Sequence, residues 1–127
     1  MWWMFVGNHD DNEASHLYLF YAKQLAGPWH PHPANPVVRR AGLARAAGTP
    51  VHLDGRLVRP SQESRSTYGA CVVFNAIDAM NEAEYSERPI SVLRPDTNWS
   101  HHDGLHHVAT FGPSTYIDAK SLRSPAS

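Results

Sequence analysis

Short apolar runs broken by clusters of Pro, Gly and Asp dominate the chain, and almost none recurs at the 3.6-residue spacing of a helix. The pattern predicts strands. Residues 2–7 (WWMFVG) form the first run, and the polar stretch 8–13 follows as a turn. Residues 17–22 (LYLFYA) are aromatic and long enough for a central strand, so the two runs read as a hairpin with a wide loop. The stretch 27–33 carries Pro28, Pro31 and Pro33 and reads as edge or loop, because each Pro removes a ladder donor. Residues 36–38 read as a short outer strand.

A second block follows. Residues 43–48 make a short run ending in a turn, and Asp54-Gly55 is a strong hairpin signal before 56–63. The most apolar strand is predicted over 70–77. Residues 78–84 contain Ala, Met and Glu and would tolerate one helical turn, but a strand with a turn is preferred, because 85–93 then supplies its antiparallel partner. A polar loop over 94–103 precedes a last hairpin, 104–111 with 114–119. The tail 120–127 is small and polar and is expected to fray, which places the domain at 1–119. Grouped in order, the strands form units over 2–40, 44–95 and 104–119, the second with four strands and the third with two. Four-stranded antiparallel units at a period of roughly 40 to 50 residues mark propeller blades. A sandwich also has many short strands, so the pattern alone establishes an all-β class.

Composition narrows the function. The chain has 127 residues, 42% apolar and 18% charged, which suits one globular domain rather than a disordered segment. A formal net charge of -1 gives no electrostatic footprint for nucleic acid or an anionic membrane surface. No segment approaches the roughly 20 apolar residues of a membrane span. The apolar N-terminus lacks a basic flank and a long apolar region, so no signal peptide is expected and a cytoplasmic location is. With no sign of secretion, the sequon Asn98-Trp99-Ser100 reads as incidental. The lone Cys71 excludes an internal disulfide and a CxxC metal site, and it reads as a small core hydrophobe.

One ordered series of motifs carries a resemblance. It runs from Leu17-Tyr18-Leu19-Phe20-Tyr21-Ala22 through Gly27-Pro28-Trp29-His30-Pro31-His32-Pro33-Ala34-Asn35-Pro36-Val37 to Ala44-Arg45-Ala46-Ala47-Gly48. It continues with Gly55-Arg56-Leu57-Val58-Arg59-Pro60-Ser61-Gln62 and Tyr68-Gly69. The series resembles the N-terminal propeller domain of plant glucosamine inositolphosphorylceramide transferases and related bacterial proteins. That domain is similar to the five-bladed propellers of arabinanases, xylosidases and invertases. The resemblance implies a partial five-bladed β-propeller of about two and a half blades, the C-terminal part of the ring. It implies a carbohydrate or sugar-phosphate ligand and a role beside a glycosyltransferase. It also implies that the main catalytic carboxylates of the related glycosidases belong to earlier blades, and that the open sheet edges pair with missing blades or a second copy.

On that reading the inner blade strands carry Trp3, Arg45 and His106-His107, which would line a central funnel. A sugar site needs aromatics for stacking and fixed polar groups for hydroxyls, which makes Trp3, Arg45, Arg59, Gln62, Tyr68 and His106 the predicted substrate-binding residues. Arg45 and Arg59 would grip a phosphate or carboxylate by bidentate bonds; the competing reading makes them interblade structural ions. Strand alternation lets only one of His106 and His107 face the funnel. Related propellers hold a central ion near such a His, so a single ion near His106 is the one cofactor considered. The spacing is no metal motif, and a hydrogen-bonded core His is the simpler reading. Glu63 is the predicted catalytic carboxylate, with Asp10, Asp54 or Asp118 as its partner, against a blade-locking role. His30 and His32 suggest a metal or partner loop, or more economically a rigid surface turn. A non-catalytic interaction module and a structural remnant needing a partner chain are the alternatives to a sugar-processing fragment.

Overall fold

The computed structural model describes residues 1–8, 16–40 and 42–122. It is all-β, with no helix among the described residues. Among the described residues nine strands form three antiparallel sheets that follow one another along the chain. The first has the order β1(Trp2–Gly7)-β2(Leu17–Ala22)-β3(His30–Pro31), with Trp3 opposite Tyr21 and Phe5 opposite Leu19. Leu17, Leu19 and Ala22 of β2 are buried, as the period of two requires for a face turned inward. The free edge strand β1 leaves Trp2, Met4 and Val6 exposed on its other face.

β3 is short, and Asn35 extends its work. The Asn35 side chain accepts from Leu19 N at 2.8 Å and donates to Leu19 O at 2.8 Å, reproducing the exchange a neighbouring strand would make. Val38 then bridges Leu17, where the outer strand over 36–38 was expected. His32 is not a surface loop residue: it is 2% exposed. Its Nδ1 accepts from Ala34 N at 3.1 Å, so Nε2 carries the proton and donates to Asn81 O at 2.9 Å. The ring is therefore a fixed tie between the first sheet and the turn after Met80.

The second sheet has the order β4(Val51–Leu53)-β5(Arg56–Glu63)-β6(Cys71–Met80)-β7(Tyr85–Leu93). Asp54 at φ 49° and Gly55 at φ 75° make the predicted two-residue turn between β4 and β5. The preferred strand-and-turn reading of 78–84 is the one observed. Pro60 lies inside this sheet, where Pro is normally excluded. The structure explains it: residues 44–47 pair with the end of β5 and β4 with its start, with a break over 48–50. Pro60 O accepts from Ala47 N at 3.1 Å, so its missing donor falls on the broken side. On the outer strand β7, Pro89 sits beside a register shift.

The third sheet is the hairpin β8(Val108–Phe111)-β9(Ser114–Ile117). The chain stays tied to its neighbours past Ile117, since Lys120 bridges Gly104 and Leu122 N donates to Asp103 at 2.7 Å. Residues 123–127 of the expected tail lie outside the described residues. Two small apolar clusters join the sheets. Leu17, Val38 and Ala44, with Phe5, Leu43 and Tyr85 against them, connect the first sheet to the second. Ala47, Val72, Leu105 and Val108, with Phe74 and Leu93, connect the second to the third. Burial between adjacent sheets thus supplies the core.

Candidate functional site

A half-open cleft of about 280 Å³ lies where the three sheets meet. The first contributes Gly7 at the end of β1, with Asn8 and His16. The second contributes Ala44, Arg45, Ala46, Gln62 and Tyr68, and the segment before the third contributes His106 and His107. Backbone bonds hold these walls. Gln62 N donates to Arg45 O at 2.8 Å, Leu105 N to Gly69 O at 2.7 Å and Val108 N to Ala47 O at 2.8 Å. Gly69 and Gly104 allow the close approach, since a Cβ on Gly69 would collide with the His106 side chain and one on Gly104 with Gly69 O.

Tyr68 is the centre of the arrangement. The residue is 51% exposed. Arg45 places its guanidinium 4.8 Å from the ring centroid, and Lys120 places Nζ 5.8 Å from it. The His106 ring is 5.6 Å away at 48°. Lys120 Nζ donates to Tyr68 O and to Thr67 Oγ1, both neutral acceptors. Gln62 is buried, accepts from Ser64 Oγ through Oε1 at 2.8 Å, and reaches His106 O through Nε2 at 3.3 Å.

Asp118 fixes His106. Its Oδ2 lies 2.6 Å from His106 Nδ1, while Oδ1 accepts from the backbone N of His106 at 3.2 Å and of His107 at 2.9 Å. A carboxylate only accepts, so Nδ1 carries the proton and Nε2 is left for another group. This role for Asp118 was missed; the sequence offers it only as a second carboxylate for Glu63. Both His106 and His107 line the cleft. Strand alternation does not apply to them, because β8 begins only at Val108.

Four predicted residues, Arg45, Gln62, Tyr68 and His106, therefore share one cleft, and three do not. Trp3 stacks against Tyr21 at 5.7 Å within the first sheet. Arg59 is 1% exposed and cannot reach a ligand. Its Nε and Nη2 bind Glu87 at 2.7 and 2.6 Å, and Nη2 also donates to Leu43 O at 2.7 Å. Burial alone would lower its proton affinity, but Glu87, backed by the Tyr85 hydroxyl, more than reverses this and raises it. Of the two readings of Arg59, the structural ion is the one its surroundings match.

Glu63 also lies outside the cleft. Its Oε1 accepts from Arg65 Nε at 2.6 Å and Arg65 N at 3.1 Å. Burial pushes its carboxyl up, but those bonds and the Arg65 charge outweigh it and hold it below the usual range. That favours a structural ion and disfavours a general acid, which needs a raised value. Of its proposed partners, Asp118 is committed to His106, Asp54 is the hairpin residue, and Asp10 lies outside the described residues. Among the described residues no three His, Cys, Asp or Glu side chains gather as metal ligands, at His106 or elsewhere.

A second hollow of about 330 Å³, lined by Tyr21, Lys23, Pro28, His30 and Glu82, gathers none of the predicted residues except the His30 of the Pro-rich stretch.

Comparison with known proteins agrees with the motif series. The family model for the N-terminal region of glucosamine inositolphosphorylceramide transferase 1 matches residues 1–108. The transferase of that name from Oryza sativa subsp. japonica is 31% identical over 97 residues, covering 72% of this chain and 13% of the relative. The one from Arabidopsis thaliana is 28% identical over 92 residues, covering 68% of this chain and 12% of the relative. The chain thus spans about an eighth of the curated relatives it matches. No solved structure matches it significantly. This chain belongs to the glucosamine inositolphosphorylceramide transferase 1 N-terminal family.

Proposed function

We propose that the chain is part of a carbohydrate-binding β-propeller domain that accompanies a glycosyltransferase, and that it binds a sugar without turning it over. The cleft around Tyr68 carries the reading. Three sheets bring an exposed aromatic ring together with Arg45, Gln62 and His106, the mixture of stacking surface and fixed polar groups that holds a sugar. Sheets of three, four and two strands, following one another with apolar cores between neighbours, support consecutive propeller blades. The family's name supports sugar transfer as the setting. Binding is preferred to hydrolysis because Glu63 is held ionised by Arg65 and lies apart from the cleft.

The test is an NMR titration of the full chain with glucose, glucosamine and N-acetylglucosamine. At least one is expected to bind with a Kd in roughly the millimolar range and to shift the Arg45, Tyr68 and His106 signals. Tyr68→Leu should weaken that binding about tenfold, while Trp3→Leu, outside the cleft, should leave it unchanged. Shifts confined to other surfaces would overturn the assignment, and release of an aryl aglycone by the purified chain would overturn the non-catalytic part.

The exposed row Trp2, Met4 and Val6 on the free edge strand favours a further component: in a longer parent this face packs against another blade. Light scattering on the isolated chain should then show association that Trp2→Lys with Met4→Lys abolishes. A monomer before the change would argue against it.

A further inference from the structure

Away from the cleft, the first sheet carries a ladder of rings. Trp3, Tyr21 and His30 stand opposite one another on β1, β2 and β3, so all three project from the same face. Tyr21 lies 5.7 Å from Trp3 on one side and 5.7 Å from His30 on the other. On β2 it continues the row of Leu17 and Leu19, at the point where that row emerges from the core into solvent. Its ring is held from both sides and still borders a hollow, so little ordering remains to be done when a ligand arrives.

The hollow of about 330 Å³ opens beside this ladder. Lys23 and Pro28 enter it from the connection between β2 and β3, and Glu82 from the turn between β6 and β7. That turn is fixed. Asn81 Oδ1 accepts from Ala83 N at 2.9 Å and from Glu84 N at 3.0 Å, and Asn81 O accepts from Nε2 of the buried His32 at 2.9 Å. Glu82 is presented by a turn moored to the first sheet. Among the described residues neither Glu82 nor Lys23 has an ion-pair partner. The hollow lies toward the Trp2–Ala22 end of the hairpin, roughly 17 Å of strand from the cleft at Gly7 and His16.

The lining selects by its chemistry. Lys23 and Glu82 carry opposite charges, so an ion gains from one and loses to the other. Glu82 only accepts, Lys23 only donates, and His30 in its neutral form does both. A ring with an apolar face and hydroxyls around its edge meets every one of these groups. Glu82 is the one carboxylate of the lining, so no acid–base pair is at hand and such a ligand is held without being cleaved.

We propose that this hollow is a second saccharide site, taking an uncharged sugar with its ring face on Tyr21 and His30 and its hydroxyls on Lys23 and Glu82. It is separate from the cleft, and either site can fail alone.

NMR titration of the full chain with cellobiose and N,N′-diacetylchitobiose tests it, with glycine betaine as a zwitterion able to use both charges. At least one disaccharide should bind with a Kd in roughly the millimolar range and shift the Tyr21, His30 and Glu82 signals. Tyr68→Leu, which disables the cleft, should leave those shifts in place. His30→Ala and Glu82→Ala, both at exposed positions, should each weaken binding about threefold or more, and Glu82→Gln, which keeps an acceptor, should weaken it less. Affinity should change less than about twofold between about 0.05 and 0.5 M salt, as an uncharged ligand requires. Betaine binding more tightly than both disaccharides, or a steep loss of affinity with salt, would make the ligand a charged one and overturn the proposal. Absence of shifts at Tyr21 and His30 also overturns it, and shifts at Tyr68 and His106 in that case leave the cleft standing.

Discussion

Arg59 and Glu87, 28 residues apart, meet through two hydrogen bonds of 2.7 and 2.6 Å inside the second sheet, with side chains only 2% and 9% exposed. Tyr85 closes the group by donating to Glu87 Oε2 at 2.5 Å. A charge so placed cannot lose its partner without remaining buried and unpaired. Arg59→Met alone should therefore cost about 3 to 5 kcal/mol, and the joint change Arg59→Met with Glu87→Leu much less. Urea unfolding of the two variants measures the difference; equal losses would show that the pair's charge is not what matters.

Gly48 should resist substitution. It sits at φ 143° where the strand over 44–53 breaks, and a Cβ there would run into the Val108 carbonyl that borders the third sheet. Gly48→Ala should cost on the order of 2 kcal/mol or more, read as a fall in the urea midpoint. Gly55→Ala meets open space and carries only the positive-φ penalty at φ 75°, so its loss should be smaller.

Acidification should expose the Glu63–Arg65 contact. Glu63 is held below its ordinary value of 4.5 in the folded chain. Its contribution is therefore complete above the unfolded value and is lost as the pH falls through the lower folded value. The stability gap between the wild-type chain and Arg65→Gln should close as the pH falls from about 6 to about 3. A gap constant over that range would show that the bond does not depend on ionised Glu63. Arg65 is largely exposed, so the gap itself should be small.

Cys71 should be inert while the chain is folded. Its residue is 2% exposed, and burial raises its thiol above the ordinary 9.0, which keeps it protonated at neutral pH. A thiol reagent should modify it only after unfolding, so native-state labelling should follow the unfolding rate. Rapid labelling without loss of structure would contradict this.

The strands were readable because each rests on local signals. Asp54-Gly55 announced its turn, the 70–77 run its central strand, and the Pro-rich 27–33 its place at an edge. Glu87 as the partner of Arg59 was not readable. It depends on the ladder through Arg59↔Asn75 and on the register shifts between β6 and β7, which no local pattern encodes. His32 was hidden for the same reason, since its anchor, Asn81, is 49 residues away. Arg45, Gln62 and Tyr68 were found through the motif series and His106 through the likeness to related propellers, whereas Asp118 was visible only as one more carboxylate. The cue that could have marked it is position: it follows the final hairpin, whose return brings it beside the segment before β8.

The walls of the cleft come from all three sheets, so its shape measures how those sheets stand against one another. The last hairpin is moored to the rest by backbone bonds from Leu105 and Val108, by the Lys120 side chain on Tyr68 and Thr67, and by one small apolar cluster. If it peeled away, His106 would leave Arg45 and Tyr68 behind. A molecule lodged between them would work as a rivet, raising the force and temperature needed to strip the hairpin from its neighbours. Occupancy and mechanical integrity would then be two readings of the same joint.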